Sequence, residues 1–387
     1  MCTSPLLSIQ CSSKKGILQK ICTRRLDVES DIWYIILMEQ HAVVTNKTEL
    51  EHYLKLTENE KRWFDDKGDS LPLLISTYYL GLMDPHDPAD PLRRQVVPSV
   101  EELNYTEMET RDPLAEESHS VLPRLVHRYA NRVAFLVTDT CATYCRHCFR
   151  RRFTAGGCSH VSEQELSAIT AYLSEHIEVK ELLLTGGDPL TLTDSKLEHV
   201  LGSLRAVRSD LVIRLCTRMP ATFPARVTDR LISILASYTK VALYVMTQFN
   251  HYREITEESR TAVSRFVDAG IPVMNQTVLL RGVNDDVQTL ETLMNNLVAI
   301  RVKPYYLFQG DLVGGTGHLR VPLEQGMQLE ALLRQRLSGL AMPVYAIDLP
   351  EGGGKVPLGS TYLIGKDCDG HWQFRTASGE KRTYPDP

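Results

Sequence analysis

From residue 134 to residue 309 the chain repeats one unit: a short apolar run, a loop, then a longer amphipathic stretch. The apolar runs are AFLVT (134–138), ELLLT (181–185), LVIRLCT (211–217), VALYVMT (241–247), VMNQTVLL (273–280) and YYLFQ (305–309). Such runs, rich in Val, Leu and Ile, read as strands buried on both faces. The stretches near 162–176, 194–207, 228–237, 256–269 and 286–299 have helical texture. The first is the best marked: Ser162 and Glu165 offer a capping box, with Val161 placed as a hydrophobic staple. Helical crossovers make consecutive strands run parallel. The chain therefore predicts an α/β fold around six parallel strands, and the rhythm fits either a doubly wound sheet or a partial barrel. In both, chemistry collects on loops after the carboxyl ends of the strands. Those loops hold a cysteine cluster, T-G-G-D (185–188), T-Q-F-N-H (247–251) and Q-G-D (309–311).

The flanks read differently. Residues 1–30 show no clear pattern, 46–64 and 75–84 have helical texture, and 84–98 is a proline-punctuated connector. After 320 come a helix, a strand at 342–348, the glycine loop LPEGGGKVP (349–357) and a small terminal hairpin. We divide the chain into an N-terminal, largely helical region (1–120), a central unit (121–320) and a C-terminal segment (321–387). With 43% hydrophobic residues the chain has ample material for a core, and a net charge of −5 leaves no basic excess for nucleic acid or an anionic membrane. No run approaches the roughly 18 apolar residues of a membrane span, and the start makes a poor signal peptide, so a cytoplasmic protein is expected. Cys2, Cys11, Cys22, Cys158, Cys216 and Cys368 are scattered, but three cysteines cluster, which favours a metal site over a disulfide framework.

The cluster lies in DTCATYCRHCFRRRF (139–153), with Cys141, Cys145 and Cys148 at C-x3-C-x2-C spacing. A structural zinc wants four ligands and most iron–sulfur clusters use four cysteines, so a fourth ligand here has to be His147, Cys158 or a distant group. Three thiolates alone leave one iron of a cluster open for a small ligand. In this array, following a strand, the chain resembles the radical S-adenosylmethionine (radical SAM) enzymes. The resemblance implies a 4Fe-4S cluster on the three cysteines and S-adenosyl-L-methionine (SAM) on the open iron. It also implies that the Gly186, Gly187 and Asp188 loop meets the SAM amino group, with glycine letting the backbone approach the ligand.

The likeness becomes specific over about residues 75–375. HRYANRVAFLVTDTCATYCRHCFRRRF, LLLTGGDPL, FNHYREITEES, NQTVLLRGVND, PYYLFQGDL and DLPEGGGKVP are similar, in this order, to the lysine 2,3-aminomutase family. The fold implied is a partial (β/α)6 radical SAM barrel with an N-terminal helical region and a small C-terminal segment that binds pyridoxal 5′-phosphate (PLP). Taken alone, EGGGK is a glycine turn with an incidental lysine, because the spacing of a P-loop is missing. By resemblance, Lys355 is the catalytic lysine that carries PLP as a Schiff base. Arg128 and Arg132 hold the PLP phosphate, as arginine forks suit phosphate, with Tyr129 nearby. Gln248 and Gln276 are further cofactor-binding positions. Arg150 pairs with the substrate carboxylate, and Asp311 and Asp348 hold its distant ammonium. Glutamate-acting relatives have lysine and asparagine at those last two places. Arg146, Arg151 and Arg152 receive no role.

The reaction implied is conversion of a basic L-α-amino acid, L-lysine first, to its β-amino isomer by amino migration, started by a 5′-deoxyadenosyl radical. A reductant protein such as a flavodoxin or ferredoxin and a homo-oligomer are expected, with no nucleic-acid or membrane partner. Three departures bear on this. Gln248 stands where the family commonly has histidine, which puts one SAM contact in question. The chain ends before the family's cysteine-rich tail, and Asp286 stands where the tail's partner cysteine would be, so no structural zinc is expected. The glycine-rich QGDLVGGTGHL would reshape the distal pocket, which keeps L-arginine as an alternative substrate. An elongation factor P lysine-modifying relative and a non-enzymatic iron–sulfur or zinc scaffold rank lower.

Overall fold

The computed structural model describes residues 43–68, 70–154, 159–369 and 371–384; the first 42 residues, with Cys2, Cys11 and Cys22, lie outside these, as does Cys158. The described chain opens with β1 (Val43–Val44), paired antiparallel with β2 (Ile75–Ser76) around the helices Lys47–Glu51 and Glu58–Asp66. A capping box of Thr57 and Glu60 starts the second helix. The stretch read as helical at 75–84 is instead divided. Ser76 pairs in β2, and its hydroxyl then caps a single turn, Thr77–Leu80.

A ten-stranded sheet follows. β3 (Ser120–Leu122), β4 (Leu125–Tyr129) and β5 (Arg132–Thr138) form an antiparallel meander. From β5 the sheet continues in parallel through β6 (Glu181–Gly186), β7 (Val212–Cys216), β8 (Leu243–Thr247), β9 (Val273–Val278) and β10 (Val302–Phe308). These are the six strands the sequence predicts. A seventh, β11 (Val344–Leu349), lies parallel to β10, and β12 (Gly354–Pro357) returns antiparallel beside it. The strands follow one another in order from β3 to β12, which gives the partial barrel of a radical SAM fold. The expected terminal hairpin is a three-stranded sheet of β13 (Leu363–Lys366), β14 (Trp372–Arg375) and β15 (Lys381–Tyr384).

The crossover helices are α1 (Glu163–Glu175), α2 (Asp194–Val207), α3 (Asp229–Ser237), α4 (Glu257–Asp268), α5 (Val287–Ala299) and α6 (Leu323–Arg336). Ser162, Thr193, Thr228, Thr256 and Asp286 cap the first five, each accepting a backbone N–H two or three residues into the helix. Asp286 thus has a local structural task. One face of the strands packs under these helices in a single core, with Phe135, Leu184, Leu215 and Val245 fully buried. The alternate residues, including Arg214, Cys216, Gln276 and Phe308, are half-buried on the opposite face, inside the partial barrel. Among the described residues, no helix is long and apolar enough to cross a membrane.

The loop carrying the cysteines has little regular structure and is held instead by its arginines. Arg146 and Glu102 form a fully buried ion pair, and Arg146 also donates to Leu71 O (2.9 Å) and Pro72 O (3.0 Å). Arg151 adds a second contact to Glu102 (3.3 Å) and donates to Gly314 O (2.7 Å). Arg152 reaches Asp112 (3.0 Å) and Glu117 (3.1 Å). The three arginines without a sequence-derived role are therefore the loop's fastenings to residues 71–117 and to the loop after β10. Removing one partner of a buried pair costs roughly 3–5 kcal/mol, because a charge is left uncompensated. Glu102→Ala strands both Arg146 and Arg151. We expect its urea-unfolding midpoint to fall clearly below that of the parent, whereas Glu117→Ala, which removes an exposed carboxylate, leaves the midpoint nearly unchanged.

Candidate active site

The three thiols follow the carboxyl end of β5. Cys145 Sγ accepts a hydrogen bond from Arg218 Nη1 at 2.8 Å. Burial pushes the Cys141 thiol well above the ordinary range and the Cys148 thiol up to about 11, and the neighbouring cysteines add to both shifts. Three thiolates gathered here call for a cationic centre to replace their protons. Among the described residues, the one set of three potential ligands lying within 4.8 Å of one another is Asp367, Asp369 and His371, in a surface turn.

The G-G-D loop is pressed against the cysteine loop. A Cβ on Gly186 would collide with Thr138 O, and one on Gly187 with Thr140 O. Gly187 N and Asp188 N donate to those same carbonyls at 2.6 and 2.7 Å. The sequence reading ascribed the glycines to ligand approach; their immediate cause is this backbone packing. Asp188 was expected at SAM, but its buried carboxylate accepts from Thr217 Oγ1 (2.8 Å), Arg218 N (2.8 Å) and Leu190 N (3.0 Å). It fixes the loop after β7. With the amide hydrogens of Gly187 and Asp188 engaged, carbonyl oxygens are what this turn can offer a ligand's ammonium.

Gln248 Nε2 lies 3.1 Å from His147 Nε2, and Asn250 Nδ2 lies 3.4 Å from the same atom. Two amide donors assign His147 Nε2 as the acceptor, which leaves the proton on Nδ1. Burial holds His147 well below the ordinary histidine range, so it is neutral. His147 is thus part of an amide cluster beside the cysteines. Gln276 sits on the inner face of β9.

At the β11–β12 end, Asp348 and Lys355 are register partners and form a close ion pair. Lys355 Nζ also lies 3.8 Å above the Phe308 ring, and Lys355 N donates to Tyr129 Oη at 3.1 Å. Arg128 and Arg132 stack on Tyr129, their Cζ atoms 5.1 and 3.7 Å from its ring centre. Arg128 Nε and Nη2 are buried without a hydrogen-bond partner, the nearest carboxylate oxygen being that of Asp348 at 4.0 Å. Burial, and then the charge of Asp348, push Asp311 up to about 7. Burial also lowers Lys355, against the pull of Asp348.

Arg150 is half-buried and already engaged. Glu116 takes its Nε (3.0 Å) and Nη2 (2.7 Å), and Thr185 Oγ1 accepts from Nη1 (3.1 Å). One N–H on each of Nη1 and Nη2 is left for a further acceptor. Glu116 and Arg218 escaped the sequence reading. Neither belongs to a spaced motif, and only their partners in space mark them.

The glycines after Asp311 also have a packing cause. A Cβ on Gly314 would meet the Tyr105 ring at 2.6 Å, and one on Gly315, at φ +80°, would meet Glu102 O at 2.7 Å. They admit residues 102–109 across the loop.

Thiols, glycine loop and lysine therefore border the inner face of one partial barrel, and comparison with known proteins agrees. Residues 135–293 match the model described as the radical SAM superfamily, and residues 329–387 match that described as lysine-2,3-aminomutase. The chain is 41% identical over 361 residues to L-lysine 2,3-aminomutase of Bacillus subtilis, covering 93% of this chain and 76% of that protein. It is 40% identical to L-lysine 2,3-aminomutase of Clostridium subterminale, over 88% of this chain and 81% of that one. It is also 39% identical to glutamate 2,3-aminomutase of Clostridioides difficile, over 87% and 79% of the two chains. The fold and site are those of a radical SAM enzyme. Within that class the chain belongs to the lysine 2,3-aminomutase family, whose members are isomerases using a 4Fe-4S cluster, SAM and PLP.

The residues present fit those groups: three thiols for a cluster, orphaned Arg128 donors for a phosphate, and a lysine of lowered basicity for a carbonyl carbon. Charge-assisted hydrogen bonds contribute about 1.5–3 kcal/mol each. Arg128→Met should therefore weaken PLP retention by about tenfold to a hundredfold, read by equilibrium dialysis. Lys355→Met should lose the visible PLP band while iron content stays at the parental level.

Proposed function

We propose that this enzyme is an amino acid 2,3-aminomutase for a basic substrate, L-lysine. One observation carries the reading: a primary ammonium, that of Lys355, already sits against Asp348, and Asp311 is near enough to feel both charges. Two carboxylates facing one cavity repel each other, and a cation relieves that repulsion. Engaging Lys355 with the cofactor takes its ammonium away from Asp348. The pair of acids is then left for the ammonium at the far end of the substrate. Glutamate would bring a third carboxylate to the same place.

When bound, the cluster and SAM supply a radical able to remove an unactivated hydrogen, and PLP lends the amino nitrogen the unsaturation it needs to migrate. The chain's own residues do the positioning. Arg150, held by Glu116, presents its remaining N–H groups to the substrate carboxylate, and Asp311 with Asp348 anchors the other end. Fixing both ends holds the carbon that loses hydrogen in one place. Phe308 and Tyr306 supply an apolar wall beside Lys355.

Anaerobic protein with SAM, PLP and a strong reductant, given equal L-lysine and L-arginine, is expected to yield the β-amino isomer of lysine by mass spectrometry and NMR. Isomerised arginine instead would reassign the substrate. Losing one side of a buried charge pair costs about 2–5 kcal/mol, so Asp311→Asn should lower kcat/KM for lysine at least thirtyfold. The pH profile checks the same group. Cation binding needs ionised Asp311, which protonates as pH falls through about 7. The dissociation constant for lysine should therefore rise by up to about tenfold per unit below pH 7, and this acid limb should vanish in Asp311→Asn.

A further inference from the structure

We infer that Arg218 sets the reduction potential of the cluster through a direct N–H···S hydrogen bond to Cys145, and that Glu254 holds it in place and moderates its charge. Arg218 follows β7 and comes from none of the cysteine motif. Its Nη1 lies 2.8 Å from Cys145 Sγ. Its Nη2 bonds Glu254 Oε1 (2.7 Å), Gln95 Oε1 (2.6 Å) and Tyr79 Oη (3.3 Å). Glu254 is fully buried, and its other oxygen accepts from Asn250 N (2.5 Å) and His251 N (2.9 Å). Tyr79 Oη donates to Glu254 Oε1 at 2.5 Å. The guanidinium therefore has one position, and that position is against a cluster-ligating sulfur.

Reduction adds one electron, supplied by an external low-potential one-electron donor, and no proton. It makes the cluster more negative by one charge. Hydrogen bonds to ligand sulfurs and nearby net charge govern such potentials. A fixed cation donating to Cys145 favours the reduced state, and a buried carboxylate one bond further away opposes it. Outer groups of this kind tune a metal centre without touching it. Arg218 is a positioning residue in this account, and the inference rests on the cluster, independently of the substrate.

The test is anaerobic redox titration of the reconstituted protein without SAM or substrate, followed by visible absorption and EPR, with iron and sulfide assayed on each sample. In Arg218→Gln the reduced-to-oxidised ratio at a fixed poise should fall at least tenfold, a 59 mV shift to more negative potential for one electron. Arg218→Lys, which keeps the charge, should recover part of that. Glu254→Gln should move the ratio the opposite way. The lysine and glutamine variants decide the matter even where Arg218→Gln holds too little cluster to titrate. Shifts below twofold at full iron content, or shifts of one sign in Arg218→Gln and Glu254→Gln, overturn the inference.

Discussion

A loop that carries three thiols cannot shape itself. Its residues make few regular backbone hydrogen bonds, and its ligands must nonetheless converge. Here the loop is shaped from outside, by buried guanidiniums that reach carboxylates and carbonyls on other segments. Glu102 is the centre of that arrangement, fully buried and shared by Arg146 and Arg151. Desolvating three such charges is costly, and their mutual attraction recovers the cost only while every partner is present. The loop therefore has one geometry or none. The G-G-D turn is held by the same logic at closer range, its glycines lying flat on Thr138 and Thr140.

The same economy of charge runs through the rest of the site. Each group expected to meet a ligand is parked against a group of the protein. Arg150 lies on Glu116, Lys355 on Asp348 and His147 against two amides. Arg128 has two nitrogens buried without a hydrogen-bond partner, and His147 one, Nδ1. An orphaned buried donor costs about 1–3 kcal/mol, and a bound phosphate relieves it. The site is thus poised to exchange internal partners for external ones, and Asp348 is where the exchange matters most. It holds Lys355 in this structure and, on the function proposed above, is freed for the substrate once the cofactor is engaged.

Much of this was legible in the sequence. The strand runs, the capping residues and the cysteine spacing are local signals, and each reports on a few neighbouring residues. That is why β5 to β10 and the cap Ser162 could be placed, and why Cys141, Cys145 and Cys148 stood out. β11 was assigned to a separate segment because the texture changes after residue 320, although α6 makes the same crossover as its predecessors. The packing of Asp188 and the glycines was not legible, because a motif shows which residues are present, not what presses on them. Glu116 and Arg218 carried no signal at all, and Glu254 stood in a quoted motif, FNHYREITEES, without a role of its own. A lone charged residue in a loop acquires meaning only from a partner far away in sequence, as Arg218 does from Gln95 across 123 residues.

The N-terminal region deserves a different place in this picture from the one its helices suggest. Tyr79 and Gln95 bond Arg218, Glu102 bonds Arg146 and Arg151, Tyr105 lies across the loop after β10, and Glu116 holds Arg150. Every one of these residues precedes the first strand of the large sheet. A partial barrel leaves one side of its inner face unwalled, and a reactive radical must not meet water there. Residues 79–116 contribute side chains to the loops around that face, with the buried carboxylates of Glu102 and Glu116 and the neutral Tyr79, Gln95 and Tyr105. The barrel supplies the positions of the cysteines, and the N-terminal region supplies the electrostatic setting in which those positions become usable.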